Sequence, residues 1–162
     1  MKKPSVYLDT SIINFLYADD SPAYRDITIQ FFNDYIDDYD IYISNIVFEE
    51  INKTKDLIKK EKLLIAINER KFFRLQIDDE VYRLANKYIE DKILPPQSIN
   101  DARHIAVVTI NKIDILLSWN IKHIANFKKQ IQVRLVNEKE GYFYPITLLN
   151  PSNLIGEKDN GK

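Results

Sequence analysis

Four polar residues stand where catalytic sites are commonly built, just past an apolar strand-forming run or in the first turns of the helix after one. Asp9 follows the run Ser5–Leu8, and Glu50 lies in the first turns of the helix after Asp40–Ser44. Asp101 lies in the first turn of a helix starting near Ser98, and Asn120 comes two residues past Ser118, the end of another run. Three carboxylates gathered at one point repel, and unless they take up protons they need a cation between them. Mg²⁺ relieves that repulsion and keeps some of its waters. It can then activate one and neutralise charge developing on a phosphodiester. The chemistry expected of such a set is metal-assisted cleavage of an anionic polymer. The chain has no cysteine, which excludes thiolate metal sites and disulfides and leaves oxygen ligands or the two histidines, His104 and His123. Oxygen-only sites favour Mg²⁺ or Mn²⁺ over Zn²⁺.

Each residue also has a plainer reading. Asp9, in "LDTS", suits the N-cap of a short helix Ser11–Leu16. Glu49 and Glu50 would both serve as solvated helix residues. Ser98 and Asp101 have capping-box spacing, so helix-start stabilisation explains Asp101 as well as catalysis does. Asn120 equally suits the N-cap of "IKHIANF". His104 lies three residues after Asp101, and His123 three after Asn120, so each can share a face with its neighbour. Both histidines read better as half-buried packing or hydrogen-bonding residues than as catalytic ones. Trp119 could stack on a base, but packing in the core or at its rim is the better reading. Lys122, Lys128 and Lys129 make a modest basic patch that reads first as a solvated face.

The elements that would position these residues alternate along most of the chain. Strands are expected at Ser5–Leu8, Asp40–Ser44, Phe72–Ile77 and Asp114–Ser118, and late strands at "VRLVN" and "YPITLL". "DILLS" is apolar without alternation, as inside a parallel sheet. Ser21-Pro22 opens a helix with Ile27, Phe31 and Tyr35 on one face. Further helices are expected over "IVFEEI", with Val47 and Ile51 on one face, and over Asp56–Arg70, with Leu57, Leu64 and Ile67 in an apolar stripe. Asp78 caps the next, which carries Val81, Leu84, Ala85 and Tyr88 and ends before Pro95-Pro96. Ser98–Ile110 is the last, with Ile105 and Val108 inward. The pattern predicts an α/β layer fold with a mainly parallel sheet and right-handed crossovers. Ligands in such folds sit outside the carboxyl ends of the strands, where all four polar residues fall.

At 162 residues the chain fits one domain, expected over residues 1–150, with 151–162 a partly disordered tail. The start, "MKKPSVYLDTSI", lacks a signal-peptide apolar run, and no apolar run approaches the roughly 20 residues of a membrane span. The expectation is a cytoplasmic protein with no membrane partner. The net charge of −1 gives no global field to attract nucleic acid, so RNA binding would need a local basic patch or metal–phosphate contacts.

Taken in order, these segments resemble the PIN-domain family, in particular its toxin-like VapC branch. "YLDTSI" resembles the family's opening strand with its acidic residue and Thr/Ser; "ISNIVFEEI" resembles the second segment, and its register selects Glu50 over Glu49. "NDARHIAVV" and "DILLSWNIKHI" resemble the third and fourth. The resemblance runs from about Val6 to Leu149. Asn120 departs from it, standing where Asp is commoner; it still offers a carbonyl oxygen but removes one negative charge, so weaker metal binding or loss of a second metal is expected. Asp114 sits at the other end of that strand and is not expected to substitute.

The resemblance implies a three-layer α/β/α sandwich around a mainly parallel sheet of about five strands, and a Mg²⁺- or Mn²⁺-dependent endoribonuclease, the toxin of a type II toxin–antitoxin pair, with an RNA substrate, an antitoxin protein partner and a homodimer. It implies a metal set of Asp9, Asp101, Glu50 and Asn120, with Glu50 orienting or helping to deprotonate the attacking water. Thr10 and Ser118 would be hydrogen-bond partners behind that set. The alternative is a degenerate PIN domain that binds RNA or protein without turnover. A phosphoaspartyl enzyme built on Asp9 fits poorly: Ser11 stands where a phosphatase needs a second Asp, and "LLSWN" offers no receiver-type Lys.

Overall fold

The computed structural model describes residues 2–156. Five parallel strands form one sheet: β1 (Ser5–Leu8), β2 (Asp40–Ser44), β3 (Phe73–Leu75), β4 (Ile115–Leu117) and β5 (Thr147–Leu149), in the order β3-β2-β1-β4-β5. Val6, Tyr7 and Leu8 of central β1 and Leu116 and Leu117 of β4 are all fully buried. Consecutive residues point to opposite faces, so both faces of the sheet are covered. The helices α1 (Thr10–Phe15), α2 (Pro22–Gln30), α3 (Asn45–Asn52), α4 (Leu57–Asn68), α5 (Asp79–Glu90), α6 (Ile99–Ile110) and α7 (Phe127–Lys139) supply that cover. This is the layered α/β architecture expected from the sequence.

The strand order fixes where a site can form. From β1 the chain steps outward to β2 and β3, then returns across β1 to lay down β4 and β5. The reversal opens a crevice between the carboxyl ends of β1 and β4, the usual ligand position in open parallel sheets. Asp9 continues β1, its N–H donating to Leu117 O at 3.2 Å. Ser118 continues β4, its N–H donating to Leu149 O at 2.9 Å.

Three sequence expectations are corrected. "VRLVN" is not a strand but part of α7. Its β-branched composition suits a strand, yet Val133, Val136 and Asn137 are buried at helical spacing, and successive parallel strands need a crossover element between them. The stripe assigned to α4 is shifted: Leu57 is 75% exposed, and Leu63, Ala66 and Ile67 face the core. "IKHIANF" is a turn, and the following helix starts only at Phe127, capped by Asn126, whose Oδ1 accepts from Lys129 N at 2.8 Å. The α2 face of Ile27, Phe31 and Tyr35 persists through a π-helical turn at Phe31–Tyr35.

Beyond β5, Pro151–Leu154 forms a 3-10 turn with Pro151 buried, and Gly156 N–H donates to Tyr35 OH at 2.8 Å. Residues 157–162 of the expected tail lie outside the described residues.

A buried polar triangle ties α7 to the helices beside it. Tyr88 OH donates to Asn137 Oδ1 at 2.5 Å and meets Thr109 Oγ1 at 3.2 Å, and Asn137 Nδ2 donates to Thr109 Oγ1 at 3.1 Å. Tyr88→Phe keeps the packing but strips Asn137 Oδ1 of this donor, so unfolding free energy should fall by about 1–3 kcal/mol. Urea denaturation checks this; a loss below a few tenths of a kcal/mol would mean that Asn137 finds another donor.

Candidate active site

Asp9 is the N-cap of α1 and a cleft residue at once. It is 3% exposed. Its Oδ1 accepts from Ser11 N at 3.0 Å and Ser11 Oγ at 2.5 Å, and its Oδ2 accepts from Ser118 Oγ at 2.5 Å. The two serines are held in turn, Ser11 Oγ by Trp119 N at 2.9 Å and Ser118 Oγ by Asn120 N at 2.9 Å. Burial raises the Asp9 pKa against the pull of His104 and the serine donors. The Asp9 carboxylate is thus clamped between the ends of β1 and β4.

Glu50 comes from α3, two turns past the Ser44 N-cap, whose Oγ accepts from Ile46 N at 3.2 Å. Glu50 lines the cleft and Glu49 is exposed. Glu50 Oε1 accepts from Thr10 Oγ1 at 2.5 Å and pairs with His104 Nε2 at 2.8 Å, while Oε2 has only a 3.5 Å contact from Asn100 Nδ2. Burial alone would raise the Glu50 pKa; the hydrogen bond and charge of His104, with Thr10, outweigh it and hold the carboxyl below its usual range.

Asp101 lies in the first turn of α6, but Ser98 makes no side-chain cap there. The capping-box reading therefore lacks its Ser98 half, and Asp101 Oδ2 instead accepts from Asn120 Nδ2 at 3.0 Å. Burial, followed by repulsion from Asp9 and Glu50, overcomes the opposing charge of His104 and pushes the Asp101 pKa up to about 6. Asn120 is held at its other end, Oδ1 accepting from His123 N at 3.0 Å.

All four expected site residues thus line one cleft of about 330 Å³, with Thr10, Ser11, Asn14 and His104. No Lys or Arg lines it, so three carboxylates face at most the single positive charge of His104. Their mutual repulsion is eased by neutral donors and the histidine, and, after burial, it shows in the raised pKa values of Asp9 and Asp101. Among the described residues no three acidic or histidine side chains converge as a ready-made metal-binding set. The donor chemistry still suits a hard cation, with carboxylate and amide oxygens and no sulfur.

His104 is the residue whose importance sequence reasoning undervalued. It is 2% exposed, and both ring nitrogens are engaged. The available signal was its place three residues after Asp101 on one helix face. Asn14 was also missed; it lies one turn beyond Thr10 and Ser11 in α1. Trp119 belongs to the core, its Nε1 donating to Thr28 Oγ1 at 2.8 Å and its ring 4.6 Å from that of Tyr24. Lys122 and Lys128 are exposed, whereas Lys129 Nζ is drawn onto Ile93 O. His123 contributes its backbone N–H. Asp114 lies at the opposite end of β4, where it accepts from Ser5 N at 2.9 Å and from Tyr144 OH.

No family model matches the sequence, and no curated protein matches it. Solved structures do match. A chain from a toxin–antitoxin complex of Klebsiella pneumoniae aligns with a TM-score of 0.55 at 18% identity, covering 74% of this chain and 89% of that one. A chain from Rickettsia felis VapBC2, in a crystal structure with a DNA fragment from their promoter, aligns with a TM-score of 0.52 at 18% identity, covering 90% and 97%. At that identity the likeness is one of fold. The chain therefore has the VapC-like PIN fold that its four sequence segments resemble.

Proposed function

We propose that this protein is a Mg²⁺- or Mn²⁺-dependent endoribonuclease that hydrolyses RNA phosphodiester bonds, the toxin of a type II toxin–antitoxin pair. The observation that carries the reading is the cleft itself. Three carboxylates, one at the end of β1 and the others on α3 and α6, line one cleft with an amide from the end of β4 at the sheet's reversal point, and no Lys or Arg lines it. Such a surface repels a phosphodiester unless a cation intervenes.

Asp9 and Asp101 would hold that cation, with Glu50 and Asn120 beside them. The cation would supply charge neutralisation at the phosphate and a more acidic water. Ser11 and Ser118 orient Asp9. Glu50, held ionised below its usual range, is suited to accept a hydrogen bond from the attacking water and aim it at phosphorus. The water oxygen forms the new P–O bond, one P–O ester bond breaks, and the departing ribose oxygen takes up a proton. Asn120 positions Asp101 through its amide N–H. The matched toxin–antitoxin structures support an antitoxin protein as partner. A homodimer and a cytoplasmic location complete the proposal. Among the described residues no helix is long and apolar enough to cross a membrane.

A second reading rests on one specific observation: Asn120 replaces an acid, and the carboxylates bond to their neighbours rather than converging. On that reading the domain binds RNA or a protein without turnover. Incubating the purified full chain with single-stranded RNA over a range of Mg²⁺ and Mn²⁺ concentrations separates the two. A nuclease makes metal-dependent internal cuts that EDTA stops. Binding without cleavage at any metal concentration would favour the second reading and sink the first.

A further inference from the structure

We propose that His104 is a positioning residue that fixes Glu50 for hydrolysis, and that Tyr7 and Ser44 lock its imidazole with Nε2–H turned to Glu50. The inference rests on the nuclease reading above and adds a residue to its machinery.

A run of side chains that closes through helix α3 carries it. Ser44 caps α3, the helix that bears Glu50. Ser44 Oγ meets the OH of Tyr7, in β1, at 2.7 Å. Tyr7 OH meets Nδ1 of His104, in α6, at 2.7 Å, and His104 Nε2 returns to Glu50 Oε1 on α3 at 2.8 Å. Tyr7 is fully buried and the His104 and Tyr7 rings pack 5.6 Å apart, so the imidazole has little freedom to turn. The run joins β1, α3 and α6, the three elements that carry the carboxylates.

Proton counting sets the direction. With Nδ1–H and a bare Nε2, two lone pairs would face each other 2.8 Å apart at Glu50, which is unfavourable. Two arrangements remain. In the neutral one, Ser44 donates to Tyr7, Tyr7 donates to Nδ1, and Nε2–H donates to Glu50. In the charged one, Nδ1–H donates to Tyr7, Tyr7 donates to Ser44, and Nε2–H again donates to Glu50. Both present the same donor. Oε1 is then occupied by His104 and Thr10, leaving Oε2, with its single 3.5 Å contact to Asn100, to accept from the attacking water.

Three variants test this. With single-stranded RNA and saturating Mn²⁺, His104→Leu should lower kcat by about 10- to 100-fold. KM should stay within about twofold, because substrate binding is untouched. His104→Gln, which keeps an N–H donor, should recover most of the loss. The second readout needs no activity: a crystal structure of His104→Leu should show Glu50 moved off Thr10, and one of His104→Gln should show it in place. Tyr7→Phe keeps the core volume and should displace Glu50 in the same direction, by less. Equal kcat for the Leu and Gln variants, or Glu50 still on Thr10 in the Leu and Phe variants, would overturn the proposal. Wild-type protein that cuts no RNA would sink the nuclease reading alone; the Glu50 position in the variant structures would still decide the role of His104.

Discussion

Asp101→Asn is expected to lose RNA cleavage by about 10³-fold while making the metal-free protein more stable. The first effect follows from removing a proposed cation ligand; several kcal/mol of transition-state stabilisation go with it, and roughly 4 kcal/mol corresponds to 10³ in rate. Asp9→Asn should lose activity similarly, because Asp9 is the other proposed ligand of that cation. The second effect follows from electrostatics. Burial and the nearby Asp9 and Glu50 charges raise the Asp101 pKa in the folded state to about 6, from an ordinary 3.8. A carboxyl whose folded pKa is raised contributes stability that is fully present below its unfolded pKa and lost as pH rises through the folded value. Above about pH 6 the folded protein therefore carries the penalty of an ionised Asp101. After discounting for partial exposure, that penalty is about 1–2 kcal/mol.

The replacement amide carries no charge and still offers a carbonyl oxygen to Asn120 Nδ2. At pH 8 with EDTA the variant should melt about 3–6 °C above wild type. At pH 4 the two should melt together. Saturating Mn²⁺ should narrow the pH 8 gap by stabilising wild type more. A variant that melts below wild type at pH 8 would show that Asp101 is a structural anchor rather than a strained ligand. The opposite signs matter, because a residue conserving only helix-start stability would lose both properties together.

Much of this site was legible because strand ends are legible. Ser5–Leu8 and Asp40–Ser44 are short apolar or alternating runs with abrupt polar ends, and the structure places β1 and β2 at those bounds. The side chains past those ends then have little choice of location in a parallel sheet. Glu50 was separated from Glu49 by the register of the resemblance, and the structure agrees with that choice: Glu50 lines the cleft and Glu49 is exposed. Asp78 and its helix were equally readable, since its cap and its apolar positions agree.

The failures have a common physical origin in tertiary context. "VRLVN" has strand-forming residues, but the chain must cross from β4 to β5 there, and a helix is what makes the crossover. Leu57 has the right spacing for a core position but is the exposed first residue of α4, and the buried face is set by Leu63, Ala66 and Ile67. His104 looks like any histidine on an apolar helix face. Its meaning comes from Tyr7, 97 positions away, and from Glu50, 54 positions away, which no local pattern reports. Asn120 was visible as a departure from an acidic pattern. That its amide N–H would be spent on Asp101 was not, because the partner lies on a different element.

Asn120→Asp turns that departure into an experiment. The substitution removes the N–H that now reaches Asp101 Oδ2 at 3.0 Å and puts a carboxylate in its place. Two unit charges about 4 Å apart in a partly solvated site interact by roughly 4 kcal/mol. Without metal, the pair should avoid that cost by sharing a proton, titrating together with its upper pKa above that of Asp101 in the wild type. Both effects raise folded pKa values, so the sign is the same as for Asp101: stability is retained at low pH and lost as pH rises. At pH 8 in EDTA the variant should be less stable than wild type by about 1–3 kcal/mol, and near pH 4 the difference should shrink. Added Mn²⁺ should reverse the order. A fourth carboxylate gives the cation another charged ligand, and its affinity by calorimetry should rise about 10-fold, the equivalent of about 1.4 kcal/mol. RNA cleavage at limiting Mn²⁺ should rise with it. If the metal affinity and the pH 8 stability of the variant both equal those of wild type, Asn120 lies outside any cation site, and the four residues share a cleft without sharing a ligand.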